Sequence, residues 1–132
     1  MTNDKFEALI KELFDDCINT LCAKGREYQS TTKDGVNVFA NFERAAGDLN
    51  LLREDVLWVY FSKHRDSISK FIKDLHNKSF EEVDKNLTEP IEGRIMDAIN
   101  YLLILYGMVK DHRHNIGQNE SNNTTLEWDS AN

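Results

Sequence analysis

The segment Ile95–Val109, IMDAINYLLILYGMV, constrains the fold most, because wound as a helix it is apolar on almost every side. Such a helix is normally buried. Its strongly polar residues, Asp97 and Asn100, stand three apart and therefore share one face. A buried carboxylate is costly unless a cation, a metal ion or hydrogen-bond donors meet it. Two interpretations stay open: Asp97 belongs to an internal ion pair or polar network, or Asp97 and Asn100 line a cleft that receives a ligand or metal ion.

Length and charge indicate one acidic domain without a general nucleic-acid surface. The chain has 132 residues and a formal net charge of −7, which disfavours nonspecific nucleic-acid binding. Cys17 and Cys22 read as small core side chains that cannot bridge each other, as expected in a reducing cytosol. The first residues lack a secretory pattern, and the apolar segment is too short and interrupted for a membrane span. We therefore expect a cytoplasmic protein without membrane association.

Three-four spacing of apolar residues predicts an all-α fold, a compact helical bundle of three long helices and one short helix. Gly25 is the expected stop of the first helix and Gly47 or Asn50 that of the second. The segment Asn77–Glu89 reads as a polar connection. The predicted helices span about Asp4–Lys24, Val38–Asp48, Arg53–His76 and 90–112.

The domain is expected to end near residue 114. Residues 115–132 are rich in Asn, Ser and Thr and are predicted to form a flexible polar tail. The fourth helix is apolar on more faces than so small a bundle can cover alone. A second subunit is the simplest cover, so we expect a homo-oligomer.

Positive charge occurs locally against the acidic background, at Lys24, Arg44 and the neighbouring Lys63 and His64. His64 lies on the apolar stripe of the third helix, and Lys63 lies about 100° around it. These groups could serve one small anionic ligand. Equally, His64 could be a hydrogen-bonded core residue and the cations solvated surface.

Familiar catalytic and metal motifs are missing from the sequence. It contains no glycine-rich phosphate loop, no CxxC and no HExxH. No compact carboxylate cluster of the kind that holds Mg²⁺ is evident either. We therefore predict no cofactor and no metal ligands, unless carboxylates from separate segments converge.

Four segments together resemble a phage-encoded all-α group, the nucleotide modification associated domain family. They are KGREYQS, NVFANFERAAGDL, WVYFSKHRDSISKFI and EPIEGRIMDAINYLLILYGMV. The group looks distantly like the MazG-type nucleotide pyrophosphohydrolases. The resemblance covers about residues 24–109, and its most specific parts are Glu27-Tyr28, Asn41-Phe42, Lys63-His64, and Asp97 with Asn100-Tyr101.

MazG-type enzymes carry two acidic helix motifs, EExxE and ExxD, that bind Mg²⁺ around a nucleoside triphosphate. Here Asp97-Ala98-Ile99-Asn100 stands where the second motif would be, with Asn100 in place of a carboxylate. The helix expected to carry the first motif offers Lys63, His64 and Asp66. The resemblance with these departures favours direct contact with phosphate over contact through metal.

The first functional hypothesis is a binding module that holds a phosphorylated nucleotide without turnover, with Lys63, Arg44 and His64 on the phosphates. In the cytoplasm of an infected bacterium it would sequester a host nucleotide signal or support nucleotide modification. The second is a Mg²⁺-dependent nucleoside triphosphate pyrophosphohydrolase with Asp97, Glu92 and Glu27 as metal ligands. The third is a structural phage protein in which Asp97 pairs with Arg44 or Lys63. The predicted ligand-binding residues are Lys24, Glu27, Tyr28, Asn41, Phe42, Arg44, Lys63, His64, Asp97, Asn100 and Tyr101.

Overall fold

The computed structural model describes the backbone of residues 1–27 and 37–130 and the side chains of residues 1–23 and 37–121. All regular structure in these ranges is helical, which confirms the all-α prediction. The described ranges contain five helices: α1 (Asn3–Glu27), α2 (Ala40–Leu49), α3 (Arg53–Asp74), α4 (Phe80–Lys85) and α5 (Ile91–Ser130).

The ends of α1 and α2 differ in how well the sequence predicted them. Helix α1 passes through Gly25, so the predicted stop was wrong. A glycine inside a helix costs about 1 kcal/mol relative to alanine but does not force the helix to end. Helix α2 ends at Asn50, whose φ of 54° lies in the left-handed region. Asparagine tolerates this conformation better than most residues, and Asn50 rather than Gly47 supplies the cap.

The predicted polar connection contains a helix that the sequence analysis missed. Helix α4 begins after Ser79, whose hydroxyl accepts a 3.2 Å hydrogen bond from the Glu82 backbone N–H. Val83 is buried, and the Phe80 ring meets Phe71 of α3 edge to face at 6.1 Å. Six residues are too few to show helical periodicity. The Ser-x-x-Glu spacing was the available signal.

Helix α5 is much longer than predicted. It continues to Ser130, so the predicted end near residues 110–112 was wrong. No proline follows to stop it, and extending an established helix is far easier than starting one. Residues 115–121 are exposed, and the flexibility of the tail beyond residue 114 stays a prediction.

The described core is centred where α5 packs against α3; α2 packs on α3, and α1 on α5. The most deeply buried large side chains are Leu57, Met108 and Cys17. Gly107 lets the start of α2 approach α5, because a Cβ at that position would lie 3.3 Å from the Phe39 ring.

Helix α1 leaves much of its apolar stripe uncovered. Cys17 is buried, as predicted. Cys22 is exposed, so the prediction that it belongs to the core was wrong. Four large apolar side chains of this helix are exposed: Phe6, Leu9, Phe14 and Ile18. Within the described residues, no helix is both long and apolar enough to cross a membrane.

Arg53, at the start of α3, joins three helices. Its guanidinium donates hydrogen bonds to Glu43 of α2 and Asp111 of α5, each 3.0 Å long, and to Glu54 at 3.2 Å. It also donates to the Met108 carbonyl at 3.3 Å. The Arg53 side chain is only 12% exposed. We call Arg53, Glu43, Glu54 and Asp111 the Arg53 clamp; it holds the register of α3 along α5.

Electrostatics strengthen the Arg53 clamp. Burial opposes the charge on Arg53, but the hydrogen bonds that Arg53 donates to its carboxylate partners outweigh burial and raise its pKa. Burial alone would raise the pKa of Glu54. The hydrogen bonds that its carboxylate accepts from His112 and Arg53 have the larger effect, so the pKa is lowered. The His112 Nε2 atom lies 2.7 Å from Glu54 Oε1. Both shifts favour the charged forms of these two residues in the folded state.

Candidate functional site

Aromatic rings from three helices form a continuous series beside the α3–α5 contact. Tyr60 of α3 and Tyr101 of α5 lie nearly parallel, with ring centroids 6.2 Å apart. The His64 ring stacks on the same Tyr101 at 5.5 Å. Phe42 of α2 meets Tyr60 edge to face at 6.4 Å. The spacing of Tyr60 and His64, four residues apart on one helix, directs both rings toward α5.

A polar group adjoins these rings. His64 Nδ1 lies 3.9 Å from Asp97 Oδ2, beyond hydrogen-bond length. His64 Nδ1 and Asn100 Oδ1 are both buried and have no hydrogen-bond partner among the residues that the structure describes. Asp97, Asn100 and Tyr101 lie within about 100° of one another around α5, so the polar group and the rings share one face.

Asn100 is the more costly of the two unpartnered groups. The residue is only 6% exposed. A buried acceptor without a donor typically costs about 1–3 kcal/mol. A buried polar group without a partner in a native fold needs an explanation. One explanation is that a bound ligand donates a hydrogen bond to it.

Lys63 provides a cation at the edge of this group. Its Nζ lies 5.8 Å from the centroid of the Tyr60 ring. It is exposed, and no ion pair joins it to a carboxylate in the part of the chain that the structure describes. We call the seven residues together the α3–α5 site: Phe42, Tyr60, Lys63, His64, Asp97, Asn100 and Tyr101.

Six of the predicted ligand-binding residues meet in the α3–α5 site, and two further ones that the structure describes, Arg44 and Asn41, do not join it. Arg44 is exposed and lies about 200° around α2 from Phe42, so its predicted phosphate contact has no support here. Asn41 is half-buried on the same helix, without a described contact to the site. The remaining three fall outside the described residues, as side chains or altogether: Lys24, Glu27 and Tyr28.

The predicted ion pairs of Asp97 are not formed. Neither Arg44 nor Lys63 pairs with it among the described residues; the basic side chain that lies near it is the His64 imidazole. Asp97 is a third exposed, with 33% of its side-chain surface accessible. It therefore lies at the edge of the site rather than in a dry core.

Sequence reasoning missed Tyr60 as a member of the site and Arg53 as the centre of the clamp. The signal for Tyr60 was present, since it precedes Lys63 by three residues and His64 by four. Arg53 gave no local signal, because its partners Glu43 and Asp111 are remote in sequence.

The described residues contain no group of three His, Cys, Asp or Glu side chains placed to hold a metal ion. Glu92 and Asp97, two of the ligands in the hydrolase hypothesis, lie about 140° apart around α5. They cannot converge on one ion from a single helix. The third, Glu27, has a side chain outside the described residues.

Comparison with known families finds no matching family model, and comparisons with curated proteins and with solved structures find no match either.

Proposed function

We propose that the protein binds a phosphorylated nucleotide at the α3–α5 site and holds it without turnover. One observation carries the proposal: two buried hydrogen-bonding atoms, His64 Nδ1 and Asn100 Oδ1, lack partners within residues 1–23 and 37–121 and lie beside a series of aromatic rings. A nucleotide base offers a planar surface for the rings and polar edge atoms for the unpartnered groups. The resemblance to the nucleotide modification associated domain family supports the same ligand class.

Base recognition is assigned to the rings and to Asn100. Tyr60 is 44% exposed, so a planar ligand can reach it. Stacking of a base on an aromatic side chain typically contributes about 1–3 kcal/mol. An exocyclic amino group or ribose hydroxyl can donate to Asn100 Oδ1, and Asp97 can accept a second donor.

Phosphate recognition is assigned to Lys63, with His64 beside it. Lys63 is exposed and without an ion-pair partner among the described residues, so it is available to an anion. The net charge of −7 repels polyanions at long range. A small ligand that engages one local cation is therefore favoured over nucleic acid.

Sequestration rather than hydrolysis is proposed for two reasons. Lys63 and His64 stand where the hydrolases of the resembling family use carboxylates, so Lys63 supplies a positive charge there, and Asn100 replaces an acidic residue. In an infected bacterium such binding would remove a host nucleotide signal from the cytoplasm, which would counteract a host defence.

Calorimetric titration against a panel of linear and cyclic nucleotides tests this function. We expect one or a few members to bind the wild-type protein. Lys63→Ala should weaken that binding by about 30-fold or more, equivalent to about 2 kcal/mol. The matched control is Lys73→Ala, an exposed lysine of the same helix outside the site. Equal affinity of the two variants would contradict the phosphate assignment.

Stacking is tested separately with Tyr60→Leu and the control Trp58→Leu. Both residues are exposed aromatic side chains of α3, but only Tyr60 belongs to the site. We expect Tyr60→Leu to weaken binding roughly tenfold, matching about 1–3 kcal/mol of stacking, and Trp58→Leu to leave it unchanged. No binding by any panel member would overturn the proposed ligand class.

A further inference from the structure

The outer face of α5 carries an exposed apolar stripe with a seven-residue repeat. Ile95, Leu102, Val109 and Ile116 are spaced seven apart, and their exposed fractions run from 39% to 57%. Tyr106, also exposed, lies beside them. We call these five residues the α5 stripe. It spans about 30 Å along the helix axis.

The α5 stripe borders the surface that α5 uses within its own chain, because the buried Ile91 and Ala98 lie about 20° and 40° around the helix from Leu102. The buried residues Met108 and Asn100 lie about 120° and 160° around the helix from Leu102. The α3–α5 site therefore lies on roughly the opposite side of α5. A continuous run of large apolar side chains left in water on a long helix indicates an interaction surface.

We infer that a second copy of this chain packs on the α5 stripe, helix against helix. A strict seven-residue apolar repeat keeps facing a neighbouring helix when the two wind around each other with a left-handed supercoil. A two-fold partner presents the same stripe, so each copy covers the other with matching length and chemistry.

Charge sets the direction of the pairing as antiparallel. Glu92 precedes the stripe, and Arg113 lies near its end, on the same flank of the helix. Antiparallel helices bring Glu92 of each copy close to the partner's Arg113, whereas parallel helices would align like charges. This arrangement puts the two-fold axis near Leu102, midway between Glu92 and Arg113.

Sedimentation velocity of the full-length chain tests the interface. We expect the wild type to be associated at micromolar concentration and the double variant Leu102→Glu/Val109→Glu to sediment as a smaller species. The control is Ile72→Glu, which puts one glutamate on an exposed apolar position of α3. A monomeric wild type, or a double variant that associates like the control, would overturn the inference. Circular dichroism confirms that each variant remains helical.

Cysteine cross-linking locates the axis. In a Cys22→Ser background, which removes the exposed native thiol, Leu102→Cys should yield a disulfide-linked dimer under mild oxidation. Ile72→Cys in the same background should not. If Leu102→Cys gives no more covalent dimer than Ile72→Cys, the stripe is not the centre of the contact and the inference fails.

Discussion

His64 Nδ1 and Asp97 Oδ2 lie 3.9 Å apart, too far for a hydrogen bond. A carboxylate that stabilises a core is expected to be buried, with its oxygens hydrogen-bonded. Asp97 is instead a third exposed, and the nearby His64 Nδ1 and Asn100 Oδ1 lack hydrogen-bond partners in the described part of the chain. This geometry favours the cleft interpretation of Asp97 over the internal ion pair.

Asp97→Ala should therefore abolish or strongly weaken nucleotide binding while leaving a helical protein. We expect its free energy of unfolding to fall by less than about 1 kcal/mol, the range of exposed ion pairs. Urea unfolding checks this value beside Asp66→Ala, an exposed carboxylate of α3 outside the site. A loss of several kcal/mol would instead identify Asp97 as one partner of a buried pair.

For Asn100→Leu we expect the free energy of unfolding to change in the opposite direction. Leucine has a similar shape and removes the unpartnered acceptor, so the free protein should become more stable by about 1 kcal/mol. Ligand binding should be lost in the same variant. Thermal unfolding and titration measure the two effects. A destabilised Asn100→Leu protein would mean that Asn100 already has a structural partner in the folded state.

The spacing of apolar residues predicted most of the fold, because the long helices follow from apolar residues three and four positions apart. This spacing did not predict α4, which is too short to show a period, or the end of α5, which extends beyond its apolar segment. In the site, His64 and Asp97 were predicted because each is a polar residue within an apolar pattern. The Arg53 clamp could not be predicted, because Arg53 and Asp111 meet only after α3 and α5 pack.

Arg53→Met should destabilise the fold more than either site substitution. It removes the one cation that three carboxylates share, and the remaining Glu43, Glu54 and Asp111 would repel one another. We expect a loss of about 2–4 kcal/mol, below the full cost of a broken buried pair because the carboxylates are partly solvated. Arg65→Met, an exposed arginine paired with Asp66, is the control and should change stability by less than about 0.5 kcal/mol. Equal effects would show that the clamp contributes little.

The Arg53 clamp also predicts a pH dependence of stability. The folded-state pKa of Glu54 is lowered, so its contribution is present above the ordinary glutamate pKa of about 4.3. That contribution is lost as the pH falls through the lower folded value. Urea midpoints measured from neutral pH down to about pH 3 should therefore decline in acid, and Glu54→Gln should decline less steeply. Identical slopes for the two proteins would remove Glu54 as a source of the dependence.

Titration of the wild-type protein with its nucleotide in EDTA, repeated in Mg²⁺ and followed by chromatography of the recovered ligand, tests sequestration most directly. If protein cations neutralise the phosphate, binding should persist in EDTA, weaken as salt rises, and return the nucleotide intact under both conditions. Binding that requires Mg²⁺, accompanied by release of pyrophosphate, would contradict sequestration and assign the protein to the hydrolases.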